Sequence, residues 1–166
     1  MPKRLFALIL AAAVIVSALC GCGQDNVNKI SVYELKGKMA VAMEKFSEMS
    51  YVSQEDADAE NLFKNVSDMD YSAVDSFFIY YASNGTGNAD EIAVIQVKSG
   101  NDLTEARKSL EAHLKKRKSL YSTYDKTQLK KLEAARVVTH DNCAALIVAD
   151  DADIIADAFH GFFSGE

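Results

Sequence analysis

The chain has 166 residues, with 18 Lys and Arg against 24 Asp and Glu, which gives a net charge of −6 at pH 7. This acidic balance disfavours nucleic-acid binding, because domains with that function carry a basic face or a high isoelectric point. The length suits a single domain whose core is large enough to be stable without disulfides.

The N-terminus has the pattern of an export signal. Lys3 and Arg4 precede an almost unbroken apolar run from Leu5 to Leu19. A short positive start, an apolar stretch of this length and small residues after it predict a secretory signal peptide. A transmembrane helix would need about 20 apolar residues, so a membrane-spanning segment is the weaker interpretation.

The stretch Leu19-Cys20-Gly21-Cys22 at the end of this run resembles the lipobox of bacterial lipoproteins. An aliphatic residue lies three positions before Cys22 and a small residue lies directly before it, whereas bulky Leu19 directly precedes Cys20. The resemblance implies cleavage between Gly21 and Cys22 and a diacylglyceryl group on Cys22. Because two acyl chains hold a protein stably at a bilayer, we expect it on the extracytoplasmic face of the cell membrane. An ordinary secretory signal with incidental cysteines is the alternative.

The rest of the chain is predicted to form one domain. Residues 1–21 are the predicted signal peptide, residues 22–29 a polar tether and residues 30–166 a single α+β domain. With Cys20 removed and Cys22 lipidated, Cys143 has no cysteine left for an internal disulfide. Its apolar surroundings predict a buried side chain rather than a reactive thiol.

The first predicted element is a helix from Ser31 to Met49. Ser31 and Glu34 have the S-x-x-E spacing of a capping box, and apolar residues then recur at steps of three and four. Its predicted buried face is Val32, Leu35, Met39, Met43, Phe46 and Met49.

Two strand pairs and two further helices complete the predicted domain. Residues 74–83 and 91–98 are apolar, β-branched and aromatic runs separated by turn residues, which predicts a hairpin. Residues 101–124 predict a long helix, residues 135–150 a second hairpin, and residues 150–163 a closing helix. The expected fold is α+β in the order α-ββ-α-ββ-α, with about four short, mostly antiparallel strands covered by three main helices.

Several stretches carry a resemblance to a known family. They are DEIAVIQVK, the long helix from Arg117 to Tyr124, LEAARVV and CAALIVADD. From about Asp70 onwards the chain resembles a lipoprotein family of Gram-positive bacteria, a domain of unknown function numbered four-three-five-eight in its series. Where that family commonly has a turn glycine, this chain has Asp141-Asn142, and Asn tolerates left-handed conformations. The resemblance implies an envelope location and implies no activity.

Motifs for catalysis, metals and cofactors are not found in the sequence. It has no P-loop, G-x-G-x-x-G or G-x-S-x-G motif. His113, His140 and His160 lie on different predicted elements without metal-ligand spacing, so we expect surface or packing roles. The acidic run at Asp150 lacks the glycine and glutamate of a calcium loop, and helix capping is expected instead. We therefore expect neither an enzyme nor a bound metal or cofactor.

Arg117 is the one charged residue on the apolar stripe of the long predicted helix. A guanidinium in that position must reach solvent or find a carboxylate, and Glu91 at the start of a predicted buried strand is the candidate. Two hypotheses follow: a buried Arg117–Glu91 ion pair that fixes helix against sheet, or a site where Arg117 binds an anionic ligand.

These observations predict a membrane-anchored binding or accessory module of the cell envelope, held through Cys22 and serving an envelope protein partner. The alternative is a small-ligand-binding protein or enzyme with its site near Arg117. A deep pocket lined by Arg117, Tyr121 and Tyr124 would favour the alternative, and an exposed apolar patch would favour the first hypothesis. The basic stretch between Arg107 and Arg136 is either a solvated surface or a contact for anionic partners.

Overall fold

A computed structural model describes residues 31–42, 48–83 and 87–165. Within these ranges no helix is both long enough and apolar enough to cross a bilayer. The helices are α1 (Val32–Val41), α2 (Ala59–Phe63), α3 (Leu103–Tyr124), α4 (Leu129–Ala134) and α5 (Ala152–Ser164). The strands are β1 (Met49–Ser53), β2 (Val74–Ala82), β3 (Glu91–Val97), β4 (Arg136–His140) and β5 (Cys143–Val148).

The strands form one antiparallel sheet in the order β1-β2-β3-β5-β4. β2 and β3 pair as a hairpin, with Phe78 opposite Val94, and β4 and β5 pair as a second hairpin. β5 also pairs with β3, with Ala145 opposite Val94, so the two hairpins join into one sheet with β3 at its centre. The α+β class and the two predicted hairpins are confirmed.

The N-terminal part differs from the expectation. Helix α1 begins as predicted, with the Ser31 hydroxyl accepting a hydrogen bond from the Glu34 amide at 3.4 Å, but it ends at Val41. Met49 was predicted on its buried face and instead begins a fifth strand, β1, opposite Ala82 of β2. The sequence pattern is local, whereas β1 depends on pairing with a distant strand. Met43 and Phe46 lie outside the described residues.

Helices cover both faces of the sheet. On one face the odd-numbered residues of β3, such as Ala93 and Ile95, pack against α2, α3 and α4. On the other face the even-numbered residues Ile92 and Val94 pack against α1 and α5. All seven residues of β3 are buried, as expected for a strand with two covered faces.

The turns at the ends of β5 differ in detail from the prediction. Asp141, not Asn142, takes the left-handed conformation in the β4–β5 turn, with φ 48°. The buried Asn142 amide instead donates to the Val97 carbonyl at 2.8 Å. Asp151 takes the N-cap position of α5 as expected, but without a side-chain capping hydrogen bond, and Asp150 lies 3.3 Å from Lys131.

Candidate functional site

Three partly buried side chains extend the apolar stripe of α3. The first half of the helix buries Leu110 and Leu114 against the sheet. His113, Arg117 and Tyr121 follow at steps of four, and residues at this spacing share one side of a helix. The stripe therefore changes from aliphatic to polar as α3 leaves the centre of the core.

Glu91 meets two of these side chains. It is the first residue of β3 and shares a face with Ala93, because alternate residues of a strand point to the same side. Its side chain is 7% exposed. Oε1 lies 2.8 Å from Nε2 of His113 and Oε2 lies 2.9 Å from Nη1 of Arg117. The structure thus brings together Arg117 and Glu91, and whether this contact also serves a ligand stays a prediction.

These three residues, Glu91, His113 and Arg117, are called the Glu91 cluster below. An ionised carboxylate can only accept hydrogen bonds, so the proton between His113 and Glu91 lies on Nε2 of the imidazole. One negative charge therefore faces one permanent cation and one histidine.

The guanidinium of Arg117 keeps hydrogen-bonding capacity that the protein does not use. Nη1 is buried, and its N–H groups point at no acceptor, so its contact with Glu91 is an ion pair without a directed hydrogen bond. Cζ lies 5.5 Å from the centre of the Tyr121 ring, within the range of a cation–π contact. A buried donor without an acceptor costs free energy.

A cavity of about 320 Å³ lies beside the Glu91 cluster. This volume falls at the lower end of the range for small-molecule sites, about 300 to 1,000 Å³. The cluster, Tyr121, Asn65 and Asn88 contribute polar groups to its lining. The apolar lining comes from β1, β2 and the region of α2: Val52, Leu62, Val66, Ile79 and Ala82. Tyr124, predicted to line a pocket with Arg117, is 79% exposed and does not line this one.

A second ion pair fixes the chain segment that leads into β3. Nζ of Lys131 on α4 lies 2.6 Å from Oδ1 of Asp90 and 3.0 Å from Oδ1 of Asn88. The side chains of Lys131 and Asp90 are 10% and 4% exposed. The Tyr121 hydroxyl donates to the Asn88 carbonyl at 3.3 Å. The Asn88–Asp90 part of the cavity wall is therefore tied to both α3 and α4.

Sequence spacing did not identify this second pair or the contacts of the histidines. Lys131 lies in a basic stretch and Asp90 in a turn-like stretch, and only the tertiary fold brings them together. The histidines were expected in surface or packing roles, and the structure adds specific contacts: His113 contacts Glu91 and His140 lies beside His160. Within the described parts of the chain, no group of three or more His, Cys, Asp or Glu side chains is arranged to hold a metal ion.

The predicted signal peptide, its cleavage site at Gly21 and Cys22, and the tether lie outside the described residues.

The comparison with protein families identifies the domain. A family described as "Domain of unknown function (DUF4358)" matches residues 47–149, which is more than half of the chain. The chain belongs to the DUF4358 family. The matched segment begins well before Asp70, from where the sequence resemblance was drawn, and ends before α5.

Searches of curated proteins and of solved structures gave no match. The DUF4358 segment contains the whole lining of the cavity, whereas α1 and α5 lie outside it.

Proposed function

We propose that this DUF4358 protein is a lipoprotein, anchored through Cys22 to the extracytoplasmic face of the cell membrane, whose domain binds a small carboxylate in the cavity beside Arg117. The observation that carries the ligand-binding part is the half-buried Arg117 side chain, which lines a cavity with partly apolar walls beside Glu91 and His113. The lipobox resemblance supports the anchor.

The lining of the cavity supports a particular ligand class. A guanidinium binds a carboxylate through charge-assisted hydrogen bonds, and Arg117 has donors to offer. The aliphatic side chains of Val52, Leu62 and Ile79 suit a short apolar body attached to that carboxylate. The volume suits a small molecule rather than a peptide. Because Glu91 already neutralises Arg117, a monoanion fits the charge balance better than a dianion.

The ligand hypothesis is tested by NMR titration of the full chain in detergent with acetate, butyrate and 3-phenylpropionate, and with inorganic phosphate as the competing class. We expect the carboxylates with an apolar body to shift the amide signals of Glu91, Tyr121 and Ile79, and phosphate to leave them unchanged. If none of the three carboxylates shifts these signals, the proposed ligand class is wrong.

A matched pair of variants locates the binding group. Arg117→Gln removes the buried guanidinium, whereas Arg107→Gln removes an exposed one on the same helix that pairs with Glu111 at 2.8 Å. We expect butyrate affinity to fall at least about tenfold for Arg117→Gln, the effect of losing a charged hydrogen bond, and to stay unchanged for Arg107→Gln. Equal losses in the two variants would show that the anion binds the basic surface of α3 instead.

The anchor is tested separately by membrane fractionation of cells expressing the chain. Cys22→Ser should move the protein from the detergent-rich membrane fraction to the aqueous fraction and abolish labelling by an alkyne-bearing fatty acid. Cys20→Ser is the matched control and should stay lipidated, because Cys20 lies two residues before the proposed attachment site. Continued labelling of Cys22→Ser would reject the anchor.

An interaction module of the envelope is the second candidate, and one exposed cluster favours it. Nζ of Lys36 lies 4.4 Å from the ring centres of both Tyr33 and Tyr51, which are 73% and 39% exposed. Aromatic and cationic side chains together are common at binding hot spots. In-cell crosslinking followed by mass spectrometry, with Tyr33→Ser as the variant and Tyr124→Ser as the control, should enrich an envelope protein that Tyr33→Ser loses.

A further inference from the structure

His140 and His160 form a pair on the face of the sheet opposite the cavity. His140 is the last residue of β4 and shares its row with Arg136 and Val138, which face α5. Arg136 contacts Asp153 at the start of α5 at 2.6 Å, and His140 meets His160 two turns later. The helix thus runs alongside the outer strand, and the histidine pair lies at its far end.

The distance between the Nδ1 atoms of the two rings can be compared with that of a hydrogen bond and with that of two ligands of one metal ion. Nδ1 of His140 lies 3.4 Å from Nδ1 of His160. This is longer than a normal N–H hydrogen bond, which spans about 2.7 to 3.2 Å. Two nitrogen ligands at the zinc–nitrogen distance of 2.0–2.1 Å in a tetrahedral arrangement are separated by about 3.3 to 3.4 Å. The observed distance therefore matches the separation of two nitrogen ligands on one metal ion.

We propose that His140 and His160 bind one divalent transition-metal ion, with Zn²⁺ as the reference ion, through their Nδ1 atoms. Each imidazole binds in its neutral form, with its remaining proton on Nε2. Binding forms two metal–nitrogen bonds and displaces water from the ion, without oxidation or reduction. The site is independent of the cavity at Arg117.

The packing around the pair holds both rings in place before a metal arrives. The His140 ring stacks on Phe163, with ring centres 4.4 Å apart and an interplanar angle of 4°. The His160 ring meets the edge of Phe159 at 5.3 Å. Both histidines are half-buried, so an ion can reach them from solvent. Ligands whose rotamers are fixed by packing need little rearrangement on binding.

The surroundings also define the kind of site. No third His, Cys, Asp or Glu within the described ranges completes a set of three, so water fills the remaining positions of the ion. Asp141, next to His140, and Asp157, one turn before His160 on α5, are exposed carboxylates that favour a cation electrostatically. Two protein ligands predict an exchangeable ion, bound more weakly than in closed structural zinc sites.

The test is isothermal titration of the full chain with ZnCl₂ near neutral pH, in detergent and without a polyhistidine tag. All samples carry Cys20→Ser and Cys22→Ser, so that N-terminal thiols cannot bind the ion. We expect one equivalent of Zn²⁺ to bind. His140→Gln and His160→Gln should each lower the affinity at least about tenfold, whereas His113→Gln, which changes the third histidine at the cavity, should leave it unchanged.

A second measurement needs no substitution at the pair. Nitrogen-15 NMR of the imidazoles should show, on addition of Zn²⁺, that both Nδ1 atoms bind the metal and that both Nε2 atoms carry the remaining proton. Absence of binding by the chain with its histidines intact would overturn the proposal. So would an equal loss of affinity in His113→Gln, or metal binding through Nε2 of either ring instead.

Discussion

Glu91 and Arg117 connect the centre of the sheet to the second half of α3 through a contact of 2.9 Å between Oε2 and Nη1. Both side chains are largely excluded from water, with 7% and 15% of their surfaces exposed. Each charge is therefore compensated mainly by protein groups. Removing one partner leaves the other buried, and that cost decides the first prediction.

Arg117→Met should lower the free energy of unfolding by about 3 kcal/mol, at the lower end of the range for breaking a buried ion pair because His113 still contacts Glu91. Arg107→Met is the control, since the side chains of Arg107 and Glu111 are 54% and 46% exposed and such pairs contribute at most about 1 kcal/mol. Urea unfolding followed by circular dichroism measures both. An Arg117→Met protein as stable as the Arg107→Met protein would contradict the structural role of the pair.

Lys131→Met should destabilise the domain by a similar amount, about 3 kcal/mol, because it leaves Asp90 buried without its cation. It should also loosen residues 88–90, which raises the hydrogen-exchange rate of the Ala89 amide. That amide donates to Gln128 at 3.1 Å, just before α4. Lys130→Met, at an exposed neighbouring position, is the control. Unchanged exchange at Ala89 in Lys131→Met would show that this wall of the cavity is held by other contacts.

The sequence predicted the parts of the fold whose signals are local. The Ser31 cap, the buried positions Leu35 and Met39, and both hairpins depend on spacing within a few residues, and each is present. β1 was missed because it is short and half polar and is defined by pairing with β2. The apolar residues at steps of three and four that predicted a helix up to Met49 continue past the true helix end. Hydrophobic periodicity is a local property and does not indicate where the pairing of β1 with β2 begins.

For the candidate site, the sequence identified those residues that interrupt an apolar pattern. Arg117 interrupts an apolar stripe and Glu91 opens a buried strand, and each anomaly required a partner. Asp90 and Lys131 lie in polar stretches without an apolar pattern, so no local sequence signal identified them as a buried pair. The histidines illustrate the same limit, since His140 and His160 are twenty positions apart and meet only because α5 packs beside β4.

Cys143 makes the free energy of unfolding depend on pH in the alkaline range. Burial raises the pKa of its thiol from 9.0 to about 12, and the negative charges of Asp141 and Asp75 add to the effect. Between these two values the unfolded thiol loses its proton while the folded thiol keeps it, so the unfolded state binds fewer protons. Stability therefore falls as the pH rises above about 9, by up to about 1.4 kcal/mol per pH unit from this group.

The measurement is urea unfolding of the wild type and of Cys143→Ala from pH 8 to pH 10.5, with Cys20→Ser and Cys22→Ser in both proteins. The substitution lowers stability at every pH because it removes a buried side chain, but the slope against pH isolates the ionisation. The two proteins differ only at residue 143, so the difference between the slopes belongs to Cys143. We expect the Cys143→Ala protein to lose less stability above pH 9. Parallel slopes would mean that the folded thiol ionises as readily as the unfolded one, which its complete burial in the core makes unfavourable.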